Sequence, residues 1–221
     1  MTERARARAL AIVPVRGRTA MPLLGGRPLI AYTIEAARRA RTIERVVVST
    51  DSEEIRQLAQ EYGADAPFLR PAELATGTAT LEDVLRHCVG WLEEHEGYRP
   101  TIVVRLEISH PFRDDDLIDR VVETLVEQDL DTVFTAYEER HRFWRMTPSG
   151  ELELLVEEHA TRSGRRPLYR EMGGLACASR GDVIRAGRGL GRRVGVAALT
   201  SLHALVDTED EAGLELARRL L

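Results

Sequence analysis

The sequence predicts an α/β fold of three layers: a mostly parallel sheet with helices on both faces, and a small arm inserted late in the chain. Three observations lead there. Short β-branched apolar runs alternate with amphipathic helical stretches along most of the length. The helical stretches carry their own start and stop residues. With 221 residues, 43% of them hydrophobic, the chain is long enough to fill the layers on either side of such a sheet. Strands separated by helices of this length pair in parallel through right-handed crossovers.

Ala9 to Val15 ("ALAIVPV") reads as a buried strand, followed by a loop bearing Arg16 and Arg18 and by a Gly-Gly-Arg-Pro turn. Pro28 suits the first helical position ahead of the stripe Leu29, Ile30, Thr33, Ile34 and Ala37. Arg45 to Thr50 is the next strand, and Asp51 and Ser52 offer N-caps to "EEIRQLAQEYG", a helix closed by Gly63. Leu81 to His95 is helical by periodicity and Thr101 to Leu106 is a strand. "DDDLIDRVVETLVEQ" is an amphipathic helix with acidic residues at its positive end, and Thr132 to Ala136 is a further strand.

From 137 to 170 the regularity fails. The stretch is polar, carries Pro148, Gly150, Gly164 and Pro167, and has one short alternating run, "ELELLV", so it is expected to be an arm inserted into a single domain spanning 1–221. Order returns with Gly173 to Ser179, a short helix near Asp182 to Ala186, the strand "RVGVAAL", and a last helix from Thr208 with a Thr208–Glu211 capping box.

A net charge of -5, with both signs interspersed, offers no uniform field for nucleic acid or an anionic membrane. An anionic ligand must therefore be held by a local cluster, and the expected partner is small. Cys88 and Cys177 each sit in apolar patterns and read as buried thiols. The apolar run before Pro14 is too short for a signal sequence or a membrane span, so a cytoplasmic location is expected. Gly187, Gly189 and Gly191 follow a helix and precede a strand, the wrong order for a dinucleotide fingerprint.

Ligands of open parallel sheets bind beyond the carboxyl ends of the strands. The first loop, Thr50-Asp51, the segment after Leu106 and the segment before Asp207 map to that rim. Arg16 and Arg18 suit a phosphate grip through bidentate hydrogen bonds, with the backbone of Val15 and Gly17 beside them. Two solvated loop arginines fit the same residues.

Several words, in order, resemble the acylneuraminate cytidylyltransferase (CMP-sialic acid synthetase) family, with the 3-deoxy-manno-octulosonate enzymes further off. They are "GGRPLIAYTIEAA", "RVVVSTDSEEI", "PFLRPAELATGTATLEDV", "RLEISHPFR", "RRPLYREMGG" and "VDTEDE". The resemblance implies a nucleotide-diphospho-sugar transferase-like fold and a reaction in which an acidic sugar of the nonulosonic type attacks the α-phosphate of CTP, expelling pyrophosphate. It implies Mg²⁺ as cofactor with Asp207 as its ligand, and Arg16, Arg18 and Asp207 as the catalytic set. Val15, Gly17, Thr76, Thr78 and Thr80 would face the nucleotide, the threonines in what is otherwise a plain Gly-Thr turn. Glu107, Arg162, Arg165 and Tyr169 would face the acceptor, with Arg166 nearby. His141 and Trp144 match a word at the start of the arm, or else are a surface histidine and a packed tryptophan. The implied partners are CTP and an acidic sugar, and the arm implies a homodimer.

The chain departs from the family pattern where the chemistry belongs. The first loop is shortened and lacks both lysines and the asparagine of the family's words. Glu107 stands for a glutamine, Leu205 for an aspartate, Met172 for an asparagine and Gly77 for an aspartate. Glu107 is electrostatically adverse to an acidic sugar unless Arg105 or Arg113 pairs with it. Three functions follow as expectations: a cytidylyltransferase of an acidic sugar, a catalytically impaired homologue that binds nucleotide or sugar acid, and a nucleotidyltransferase retuned to another acceptor.

Overall fold

The structure, a computed structural model, describes residues 9–17, 21–155 and 161–221. In chain order the elements are β1 (Ala9–Val15), β2 (Leu23–Leu24), β3 (Arg27–Pro28), α1 (Leu29–Arg39), β4 (Ile43–Thr50), α2 (Glu53–Glu61), α3 (Leu81–Glu96), β5 (Ile102–Arg105) and α4 (Leu117–Glu127). There follow β6 (Thr132–Glu139), β7 (Trp144–Met146), β8 (Leu152–Leu154), β9 (Leu168–Glu171), β10 (Cys177–Arg180), α5 (Gly181–Arg185), β11 (Val194–Ala198) and α6 (Glu211–Leu220).

The main sheet runs β11-β6-β10-β5-β1-β4. β4 and β5 flank β1 in parallel and β11 is parallel to β6, while β10 is antiparallel to both its neighbours and β9 pairs antiparallel with β6. Strand alternation explains the layering. Ala9, Ala11, Val13 and Val15 of β1 point into a core shared with Ile30 and Ile34 of α1, Ile55 of α2 and Val121 of α4. Leu10 and Ile12 point the other way, onto Leu85, Val89 and Leu92 of α3 and Ile184 of α5. A strand covered on both faces must be apolar at every position, which is how β1 is written.

Helix boundaries follow local chemistry, with two corrections. Ser52 caps α2 by accepting from the Ile55 N–H at 3.3 Å, and Gly63 supplies the left-handed residue after it, at φ +83°. Pro28 is the extended residue before α1 rather than its first helical residue, because it is paired with Leu23 in the small β2–β3 ribbon. Thr208 does not open α6. Asp210 does, accepting from the Gly213 N–H at 2.7 Å, while the Thr208 hydroxyl donates instead to the Ser109 carbonyl at 2.9 Å.

Within 137–170, β6 continues to Glu139, β7 and β8 form a separate hairpin, and β9 returns along the far half of β6. Trp144, Met146 and Leu152 of the hairpin are exposed to 54%, 62% and 62%. Cys88 and Cys177 are buried free thiols, and burial pushes the Cys88 thiol up to about 12.

Candidate active site

The ends of β1, β4 and β5 fall together, with Val15 opposite Thr50 and Ile12 opposite Arg105, so the loops that follow them converge on one rim. A cleft of 440 Å³ opens there. Pro14, Val15 and Arg16 form one wall, Ala79, Thr80 and Leu81 another, and Glu107, Ile108, Ser109, Thr208 and Glu209 the floor and far side.

The first wall is held by a residue that the sequence reading passes over. Arg70, on the loop after α2, is buried with a side chain only 2% exposed. Its Nη2 donates to the Val15 carbonyl at 3.0 Å and to Asp51 Oδ1 at 3.0 Å, while its Nε is buried without a hydrogen bond. Asp51 Oδ1 also accepts from the Gly17 N–H at 3.0 Å. Burial works to raise the Asp51 carboxyl, but the Gly17 and Asp51 backbone N–H groups and the Arg70 guanidinium outweigh it and hold the carboxyl below its usual range. Gly17 is required sterically: a Cβ there would lie 2.4 Å from the Ser52 Cβ. The Gly17 amide expected to face phosphate is thus spent on Asp51. Arg16 is exposed and lines the cleft. Arg18 lies outside the described residues.

Of the three threonines, Thr80 lines the cleft, but its hydroxyl donates to Asp83 Oδ2 at 2.7 Å and its oxygen accepts from the Asp83 N–H, a capping box that starts α3. Thr76 and Thr78 share a hydroxyl contact at 3.0 Å in the turn before it and do not line the cleft.

The loop after β5 is locked by Arg113. Its guanidinium donates to the carbonyls of Leu175, His110, Gly174 and Glu107 and to Thr33 Oγ1. Burial brings its pKa down to about 9, still protonated near neutrality. Arg113 therefore serves the Glu107 backbone, and it is Arg105, 3.7 Å from the carboxylate, that offsets the Glu107 charge. Both the N–H and the hydroxyl of Thr208 bond the Ser109 carbonyl, tying the segment before α6 to this loop.

Asp207 sits beside that tie. Its Oδ1 accepts from the Glu209 N–H at 3.0 Å and its Oδ2 lies 4.0 Å from Nε2 of the buried His110. A Cβ on Gly213 would come 1.7 Å from the Asp207 carbonyl oxygen, so a glycine there is what lets this backbone pass over α6. Glu209 has a raised pKa, caused first by Asp207, then by burial and by Glu107. Carboxylates that repel one another in this way suit a divalent cation. Among the described residues no group of three or more metal-binding side chains occurs, so the protein would offer Mg²⁺ one or two carboxylates, with water and phosphate oxygens completing the shell.

Of the acceptor residues expected in the arm, Arg165 and Tyr169 do not line the cleft. Arg165 exchanges hydrogen bonds with Arg140, its Nη1 donating to the Arg140 carbonyl at 3.1 Å, and Tyr169 is exposed on β9 opposite Glu138. The Arg162 side chain lies outside the described residues. Among the described residues, Glu107 is the one acceptor candidate that lines the cleft. His141 pairs with Glu139 at 3.0 Å, away from the cleft.

The comparisons agree with this architecture. An N-acylneuraminate cytidylyltransferase of Escherichia coli is 37% identical over 116 residues, 49% of this chain and 26% of the relative. A CMP-N,N'-diacetyllegionaminic acid synthase of Legionella pneumophila is 36% identical over 122 residues, 52% of each chain. The chain thus spans about a quarter and about half of the lengths of these two relatives. A pseudaminic acid cytidylyltransferase of Campylobacter jejuni is 27% identical over 160 residues, 68% of each. Among solved structures, a 4-diphosphocytidyl-2C-methyl-D-erythritol synthase from Anaerococcus prevotii matches at TM-score 0.72 and 13% identity over 97% of this chain and 98% of that one. A CMP:2-keto-3-deoxy-manno-octonic acid synthetase complexed with CTP matches at 0.69 and 15% over 96% and 98%. At those identities the structural likeness speaks for the fold. No helix among the described residues is long and apolar enough to cross a membrane. The family described as cytidylyltransferase matches residues 20–158, more than half of the sequence, and the chain belongs to it.

Proposed function

We propose that the protein is a CTP-dependent cytidylyltransferase that converts an acidic sugar of the nonulosonic type to its CMP derivative with release of pyrophosphate. The observation that carries this reading is the charge layout of the cleft: Arg16, with the buried Arg70 guanidinium behind it, on the β1 side, and the Glu209 carboxylate, with Asp207 two residues before it, on the segment ahead of α6. Cations on one wall suit a triphosphate, and carboxylates opposite suit the cation that travels with it.

In this account Arg16 holds triphosphate oxygens, with Arg18 two residues on in the sequence adding a second cation, and Arg70 fixes the wall behind them. Asp207, with Glu209 beside it, holds Mg²⁺. When bound, that ion neutralises charge building on the α-phosphate and the departing pyrophosphate. The Arg113 and Thr208 bonds keep the loop from Leu106 to Arg113 rigid, so that Glu107 can accept a hydrogen bond from the acceptor. The arm joins two copies through Trp144, Met146 and Leu152 and presents Arg165 and Tyr169 to the neighbouring cleft.

The test is pyrophosphate release by the pure protein with each of the four nucleoside triphosphates, Mg²⁺ and a panel of 2-keto-3-deoxy sugar acids. Turnover restricted to CTP and dependent on both sugar acid and Mg²⁺ is expected. CTP binding without turnover on any acceptor would replace this reading with that of a binding homologue. Sedimentation at micromolar concentration checks the arm, where a dimer is expected and a monomer alone counts against the contact.

A further inference from the structure

Beside the cleft lies a second cavity, of 220 Å³, between β5, β10, α3 and α5. Leu85, Val103, Ile184 and Leu190 give it an apolar wall. Into it project Arg105, Glu82 and Glu171. The cavity adjoins the cleft, since Glu82 follows Leu81 on α3 and Arg105 precedes Glu107 by two residues, and Leu81 and Glu107 both line the cleft.

Arg105 is anomalous. Its side chain is 18% exposed, yet its guanidinium makes no hydrogen bond with any described residue, and its Nε is fully buried. Its nearest charges are loose, Glu107 at 3.7 Å and Glu171 at 3.8 Å. A buried Nε donor without a partner is costly unless something else accepts from it, and the two Nη groups beside it have donors to spare. The backbone makes room for these groups. A Cβ on Gly173 would lie 2.1 Å from Arg105 Nη2, and one on Gly189 would lie 2.4 Å from Glu82 Oε1.

The charges select the ligand. Two carboxylates against one guanidinium leave the cavity negative, which repels a second carboxylate from a ligand. A neutral group with both donors and acceptors fits: hydroxyls or an amide whose oxygens take hydrogen bonds from Arg105 and whose hydrogens go to Glu82 and Glu171. We propose that Arg105 determines acceptor specificity by donating hydrogen bonds to the neutral, hydroxyl- or amide-bearing end of the acceptor, lodged in this cavity while its acidic end stays outside. The proposal rests on the cytidylyltransferase reading only in taking the cavity's ligand to be the acceptor.

The test compares wild type with Arg105→Met and Arg105→Gln. Binding of N-acetylneuraminate, 3-deoxy-manno-octulosonate and their monodeoxy analogues is followed by ligand-detected NMR with CMP present. The wild type should bind a parent sugar acid at least ~10-fold more tightly than one of its deoxy analogues, as a site with buried donors does. Arg105→Met should lose ~10-fold or more on the parent, nothing on that analogue, and less than ~2-fold on CMP, without a fall in the ligand-free melting temperature. Arg105→Gln, which retains a donor, should fall between. Wild-type preference kept in both variants, a parallel loss of CMP affinity, or no sugar acid bound by wild type would each overturn the proposal. Pyrophosphate release measured alongside separates the two readings: sugar-acid binding governed by Arg105 without turnover ends the cytidylyltransferase reading and keeps the cavity's ligand class.

Discussion

Replacing Arg70 by methionine keeps most of the side chain's volume and removes its charge. Arg70 is 2% exposed in its side chain and joins β1, through the Val15 carbonyl, to Asp51 after β4. The change leaves a carboxylate, 22% exposed, without its cationic partner, and a buried carbonyl with one bond fewer. Breaking one side of a buried ion pair costs about 3–5 kcal/mol. Asp51 retains the Gly17 N–H and some water, so about 2–3 kcal/mol is expected here. At about 2–4 °C per kcal/mol for a chain of this size, the melting temperature should fall by about 4–12 °C. The sign with pH follows from Asp51. Its pKa is depressed in the fold, so its contribution is present above the unfolded carboxyl value of about 3.9 and is lost as pH falls through the folded value. The deficit of the variant should therefore be full at neutral pH and shrink in acid below about pH 4. Urea unfolding of wild type, Arg70→Met, Asp51→Asn and the double variant measures the coupling, expected at about 1–3 kcal/mol. Additive single effects, or a loss under ~1 kcal/mol at neutral pH, would refute the role given to this pair.

Asp207→Asn keeps shape and the bond from the Glu209 N–H, so turnover should fall by roughly two orders of magnitude or more with the melting temperature unchanged, read from steady-state rates and calorimetry. Gly17→Ala forces a Cβ against Ser52 and should cost about 1–3 kcal/mol in denaturant unfolding, with weaker CTP binding as the Arg16 loop shifts. Arg113→Met strips partners from the carbonyls of Glu107, His110, Gly174 and Leu175 and should cost about 3–5 kcal/mol, seen as a lowered urea midpoint.

Much of the scaffold is written locally, and those parts are legible. β1 is apolar at almost every position because it is covered on both faces, and Ser52 and Gly63 spell the two ends of α2. Thr80-Leu-Glu-Asp83 is a capping-box spelling too, which accounts for a hydroxyl that family likeness alone would give to the nucleotide. What escapes local reading is set by distant partners. Thr208 has the spelling of a helix cap, but Ser109, 99 residues earlier, takes its hydroxyl. Arg70 stands among "PFLRP" like any loop arginine, and only the meeting of β1 and β4 turns it into the pillar of the cleft. Arg105 follows "TIVV" on a buried strand, and a charge ending such a run was the one available signal of the second cavity. Arg165 and Tyr169 lie on the arm beside Arg140 and opposite Glu138, neighbours that no local pattern encodes.

The claim at the centre of the account is that the cleft transfers a cytidylyl group to a sugar-acid hydroxyl. Labelling the acceptor's anomeric oxygen with ¹⁸O and weighing the products by mass spectrometry tests that transfer directly. If the acceptor attacks the α-phosphate of CTP, the label appears in a CMP–sugar acid product and pyrophosphate is released unlabelled. Release of free CMP with the label left in the sugar acid, or no conversion of CTP at all, would contradict the account.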